Sequence, residues 1–145
     1  MRWGIDPALP RRRDEAELSN PYSTGGVPIM IELKRVYEKP ARRDGLRVLV
    51  DRLWPRGLSK ERAAVNLWLK EAAPSTELRK WFGHDPAKWK QFQARYRKEL
   101  DGKKDVIKLL KEKSKGQTVT LVYSARDEEH NGALVLKGVL GGPAR

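Results

Sequence analysis

Apolar and polar positions along this chain follow two periods, one of strands and one of helices. From Met30 onward, Ile31-Glu32-Leu33-Lys34-Arg35-Val36-Tyr37 alternates as a half-buried strand does. A second strand is predicted from Leu46 to Leu53 around the apolar run Val48-Leu49-Val50, and a third over Thr118–Tyr123, dense in β-branched residues. Between the second and third, the spacing turns helical. Ser59 is placed to cap a helix through about Ala73, with Ala63, Ala64, Leu67 and Trp68 on its inner face. Pro74 interrupts it, and Ser75 caps a short helix from Leu78 to Phe82, with Glu77 suited to the positive end of the dipole. Asp85-Pro86 is a cap followed by proline at the first helical position. Trp89, Phe92, Tyr96 and Leu100 then follow at spacings of 3, 4 and 4, a core-facing stripe. Gly102 marks a stop or kink, and Val106, Ile107, Leu109 and Leu110 continue a helical face until Gly116. A last helix is predicted from about Glu128 to Leu140.

The order β, β, helices, β, helix predicts an α/β fold. The expected architecture is a small parallel or mixed sheet of about three strands covered by helices, with Rossmann-like three-layer character. If the second and third strands are parallel, their long connection should be a right-handed crossover. Residues 30–145 are expected to form a single domain. Residues 1–29 show no apolar periodicity and carry Pro7, Pro10, Pro21 and Pro28, which reads as a disordered or loosely docked leader. Met30 would then be a start in its own right.

Charge sharpens that division. Residues 1–29 balance Arg2, Arg11, Arg12 and Arg13 against Asp6, Asp14, Glu15 and Glu17, so the whole net charge of +12 belongs to residues 30–145. Such a field attracts anions, whether nucleic acid, acidic protein or phosphorylated metabolites. The chain of 145 residues has no cysteine, which rules out disulfides and thiolate chemistry and makes a cytoplasmic location the expectation. No apolar run approaches membrane-spanning length, so no membrane partner is expected. No P-loop and no G-x-G-x-x-G is present, and with two separated histidines no metal site is expected. The sequence names no cofactor.

Candidate chemistry collects at two strand ends. Strand two stops at Asp51-Arg52, with Trp54, Pro55, Arg56 and Gly57 following; strand three ends in Tyr123 and Ser124, with Arg126, Asp127, His130 and Asn131 beyond. Ligands of open α/β sheets bind beyond the carboxyl ends of strands, so these residues define a site if both ends share one sheet edge. Asp51, Asp127 and His130 are then the catalytic candidates, and Arg52, Trp54, Arg56, Tyr123, Ser124 and Asn131 the ligand-binding ones. Each has a structural alternative. Asp51 and Arg52 can pair with each other, Trp54-Pro55 can anchor a loop, and Asp127 can cap the last helix, which would put His130 in its first turn. His84 reads as a loop residue. Ser124 lacks a glycine-flanked nucleophile elbow, which argues against covalent catalysis.

Several runs resemble the YeaO-like family of small bacterial proteins, a domain-of-unknown-function family. They are Lys34–Tyr37, Asp44-Gly45-x-Arg47 through Gly57, Ala73–Lys80, Phe92-x-x-Arg95-Tyr96, Leu121–Ala125 and His130-Asn131-x-Ala133. The resemblance covers about Ile31 to Leu140. It implies no reaction. The functional expectation is a cytoplasmic α/β protein that binds, and could process, a nucleotide-like or phosphorylated anionic small molecule at the strand carboxyl edge. In that reading Arg52 and Arg56 hold the anion, Trp54 or Tyr123 stacks a ring, and Asp51 or Asp127 serves as base. The alternative is a nucleic-acid-binding module whose contacts are Lys88, Lys90, Arg95, Arg97, Lys98, Lys103, Lys104, Lys108 and Lys111 on the long helices.

Overall fold

The computed structural model describes residues 29–141. The leader expected over residues 1–29 therefore lies, apart from Ile29, outside the described residues; Ile29 forms an antiparallel bridge with Lys115. Four strands form one sheet in the order β1-β4-β2-β3: β1 (Met30–Arg35), β2 (Leu46–Leu49), β3 (Leu67–Trp68) and β4 (Thr118–Tyr123). Every pairing is parallel. The helices are a single turn α1 (Lys60–Ala63), then α2 (Thr76–Phe82), α3 (Trp89–Asp101), α4 (Lys104–Lys113) and α5 (Gly132–Val139). The arrangement is the α/β three-layer class the patterning predicts.

Burial follows the pleat. The central strand β4 is buried along Val119–Tyr123, whereas edge strand β1 alternates buried with exposed positions at its start. On one face Ile31, Val48, Val50, Val119 and Leu121 meet Phe92, Tyr96 and Leu100 of α3 and Leu136 of α5. On the other, Leu49 and Val122 pack with Val36, Ala63, Trp54 and Trp68. Successive β2 residues thus serve opposite layers, as the period of two requires.

Three predicted elements differ. The helix expected from Ser59 to Ala73 is one turn only. Ser59 does cap it, accepting from the Arg62 N–H, but Ala64 takes the left-handed conformation (φ 51°) and ends it. The Arg47 N–H donates to Asn66 Oδ1, the Asn66 N–H donates to the Arg47 carbonyl, and Leu67 and Trp68 join the sheet as β3. Pairing with β2 overrides the helical spacing of Ala63, Ala64, Leu67 and Trp68. Strand β2 also ends at Leu49 rather than Leu53, freeing the next residues to form a loop. The last helix begins at Gly132 rather than Glu128, with Asn131 as its cap, accepting from the Leu134 N–H.

The first strand also ends at Arg35 rather than Tyr37 and α4 at Lys113 rather than Gly116, while the other signals hold. Ser75 caps α2 through the Leu78 N–H, and Asp85 accepts from the Ala87 N–H at a short 3₁₀ turn that feeds α3. Gly102 ends α3. At Gly45 (φ 63°) a Cβ would stand 2.2 Å from the Thr118 carbonyl oxygen, so only glycine brings this turn against β4. Among the described residues no helix is long and apolar enough to cross a membrane.

Candidate functional site

Strands β2 and β4 are parallel neighbours, with Leu49 opposite Val122, so their carboxyl ends lie at one edge. A cavity of about 780 Å³ opens there, and all nine candidate residues line it: Asp51, Arg52, Trp54, Arg56, Tyr123, Ser124, Asp127, His130 and Asn131. The two ends are tied directly. Asp51 Oδ2 accepts from the Ser124 N–H at 2.8 Å and from its hydroxyl at 2.7 Å. Burial raises the Asp51 pKa above the ordinary carboxylate value, a shift only partly offset by those two bonds and by the charge of Arg79.

The loop after β2 is held on several sides. The Trp68 indole N–H donates to the Asp51 carbonyl, the Trp54 indole N–H to the Leu58 carbonyl, and the Tyr37 hydroxyl to the Arg56 carbonyl. The Trp54 and Trp68 rings meet edge to face at 5.4 Å. Trp54 is therefore anchored beneath the loop. Leu53 alone of its apolar residues stands out, 65% exposed at the rim.

The loop after β4 is organised by Asp127. Its Oδ1 accepts from the Glu129 and His130 N–H groups, and its Oδ2 lies 2.8 Å from His130 Nδ1. The Glu129 N–H bond, then the His130 side chain, hold the Asp127 pKa below the ordinary value. His130 precedes α5 instead of sitting in its first turn, with its ring edge-on to Trp89 at 5.3 Å. Asp127 does not cap the helix; Asn131 does, and its amide also donates to the Asp127 carbonyl. Tyr123 is almost covered, and its pKa is raised chiefly by burial, with Glu128 and Glu38 adding to it.

Residues beyond the nine candidates complete the wall. Arg79 and Lys80 on α2, Tyr37 after β1, and Phe82 and His84 all face this space. Arg79-Lys80 closes the Ala73–Lys80 run, and the Ser75 cap fixes the helical phase that puts Leu78 and Phe82 in the core with Arg79 beside them. Five cations thus line this space: Arg52, Arg56, Arg79, Lys80 and Arg126. Among the described residues none of them forms an ion pair with a carboxylate; the pairs present are Lys34–Asp44, Arg47–Asp44 and Asp127–His130. Arg52 makes only long contacts of 3.4 Å to the carbonyls of Ala73 and Pro74. No group of three or more metal-ligating side chains occurs among the described residues.

Fold and site together define a parallel α/β domain with a cationic cavity at the carboxyl edge of its sheet. The chain belongs to the YeaO-like family: residues 30–143 match the family DUF488-N3i, described as the inactive DUF488-N3 subclade. It is 45% identical over 106 residues to the uncharacterised protein YeaO of Escherichia coli (strain K12), covering 73% of this chain and 92% of that protein. It is 39% identical over 112 residues to the uncharacterised protein Rv3073c of Mycobacterium tuberculosis (strain ATCC 25618 / H37Rv), covering 77% and 94%. No solved structure matches the chain.

Proposed function

We propose that this protein binds a nucleotide-like or otherwise phosphorylated small anion at the carboxyl edge of its sheet, without turning it over. One observation carries the reading: five cations line one cavity and none is paired with a carboxylate among the described residues. Cationic side chains around one cavity, with no carboxylate within ion-pair distance among the described residues, are available to hold an anion through charge-assisted hydrogen bonds. Binding without turnover agrees with the family's description as inactive. It agrees also with the commitments of the catalytic candidates. The Ser124 hydroxyl donates to Asp51, and both oxygens of Asp127 accept bonds from its own loop. Arg52 and Arg56 are assigned to the anion, as the sequence suggests, joined by Arg79. Trp54 serves the loop, since its indole N–H is bound to Leu58.

The helical basic ladder gives the nucleic-acid alternative less support. Lys88 donates to the Trp81 carbonyl, Arg95 lies over the Trp81 ring at 4.1 Å, and Lys103 donates to the carbonyls of Glu71 and Ala73. Those three cations tie α3 and α4 to neighbouring segments, while Lys90, Arg97, Lys98, Lys104 and Lys108 stand exposed.

Arg56→Ala tests the proposal cleanly, because Tyr37 grips the Arg56 backbone carbonyl and that bond survives the change. In thermal-shift measurements with nucleotides and sugar phosphates, the wild type should be stabilised. The variant should melt close to the wild type without ligand and shift much less with it. A wild type that responds to no phosphate, or a variant that responds fully, overturns the proposal.

A further inference from the structure

We infer that the ligand carries a terminal phosphate monoester on a nucleoside-sized body, and that the cavity discriminates against phosphodiesters. The inference rests on the anion-binding reading above and goes further in naming the kind of phosphate. Charge is the first ground. Arg52, Arg56, Arg79, Lys80 and Arg126 stand against Asp51 and Asp127, an excess of three positive charges at the cavity. A monoester carries about −1.5 to −2 at neutral pH, whereas a diester carries a single charge.

Geometry is the second. Arg52 leans on the carbonyls of Ala73 and Pro74, the residues that lead into α2, and Arg79 and Lys80 stand on that helix. Arg52 and the helix that carries Arg79 and Lys80 therefore meet at Ala73–Pro74, and all three cations line the cavity. A monoester offers three non-bridging oxygens and can receive two guanidinium forks at once, while a diester offers two and presents a carbon substituent on each flank.

Shape is the third. At about 780 Å³ the cavity lies within the usual range for small-molecule sites, and it is larger than a lone phosphate needs. Val50, Ala73, Pro74 and Phe92 supply apolar wall for a sugar or ring carried by the phosphate.

Isothermal titration of the full chain at low ionic strength, above the second phosphate pKa of about 6, tests this. The probes are adenosine 5′-monophosphate, ribose 5-phosphate, 3′,5′-cyclic adenosine monophosphate, adenosine and inorganic phosphate. The nucleoside monoester should bind at least about tenfold more tightly than the cyclic diester and inorganic phosphate, with adenosine weakest. Arg79→Gln should bring monoester and cyclic diester toward equal affinity. If that variant fails to fold, Arg79→Lys, which keeps the charge but loses the fork, should still lower the ratio. Equal binding of monoester and cyclic diester by the wild type overturns the inference and leaves the anion site standing. Inorganic phosphate binding as tightly as the nucleotide removes the nucleoside-sized body. Binding of none of the phosphates overturns the anion-binding reading itself.

Discussion

Asp44 and Arg47 show how two residues of the Asp44–Gly57 run serve the fold while Val50–Arg56 of the same run line the cavity. Arg47 is 3% exposed, yet its charge is fully met: one guanidinium nitrogen lies 2.7 Å from Asp44, and two others donate to the Ala63 carbonyl. Asp44 also accepts from Lys34 and from the Ala41 N–H. Burial alone would raise the Asp44 pKa; those bonds outweigh it and hold the value below the ordinary 3.8. Neutralising one partner of a buried pair strands the other. Asp44→Asn should therefore cost on the order of 3 kcal/mol at neutral pH, measured by urea denaturation. Because the native pKa is depressed, the pair's stabilisation is present above the unfolded value and disappears as pH falls through the native one. The gap between wild type and variant should narrow as pH drops below 3.8. A gap that stays constant into acid would show that Asp44 acts through shape and not charge. In the sequence, Asp44-Gly45 signals only a turn. The pair is only three residues apart in sequence, but its burial is not readable there, because that depends on Lys34 and the Ala63 carbonyl arriving from other elements.

At the scale of elements, legibility tracks how local the determinants are. The β4 boundaries, the Ser75 cap and the Asp85-Pro86 start are set by neighbours in sequence, and all are readable. The one-turn α1 is not. Its stop is an alanine in a left-handed conformation, where glycine or asparagine would advertise the end, and a two-residue strand has no period to detect. The start of α5 is ambiguous in sequence, since Asp127 and Asn131 are equally good caps and only the structure selects Asn131. The nine candidate residues around the cavity were legible because strand ends mark ligand edges. Arg79 was not, because only the packing of α2 brings it to that edge. Ala64 also supplies a test. A left-handed L-residue costs roughly 1–2 kcal/mol, so Ala64→Gly should stabilise the fold by up to about 1 kcal/mol after the entropy of the glycine is counted. A loss of stability on denaturant titration would mean that the Ala64 methyl contributes packing worth more than the strain.

For the whole molecule, the question is whether the +12 charge acts as a diffuse field or through one site. The two respond differently to salt. A diffuse field is screened by any electrolyte according to ionic strength, with a Debye length of about 10 Å at 0.1 M. A site of converging guanidiniums responds to the shape and charge of the anion. Millimolar sulfate should therefore raise the melting temperature more than sodium chloride at matched ionic strength, at concentrations too low for sulfate's general exclusion from protein surfaces to matter. At one hundred times its dissociation constant an anion adds about 2.7 kcal/mol, several degrees for a chain of this size. Replacing Arg79 and Arg126 together by glutamine should remove the sulfate excess and leave the chloride response. Sulfate and chloride acting alike in the wild type would instead place the basic character on the surface as a whole. The cavity cations would then be solvated charges with no ligand of their own.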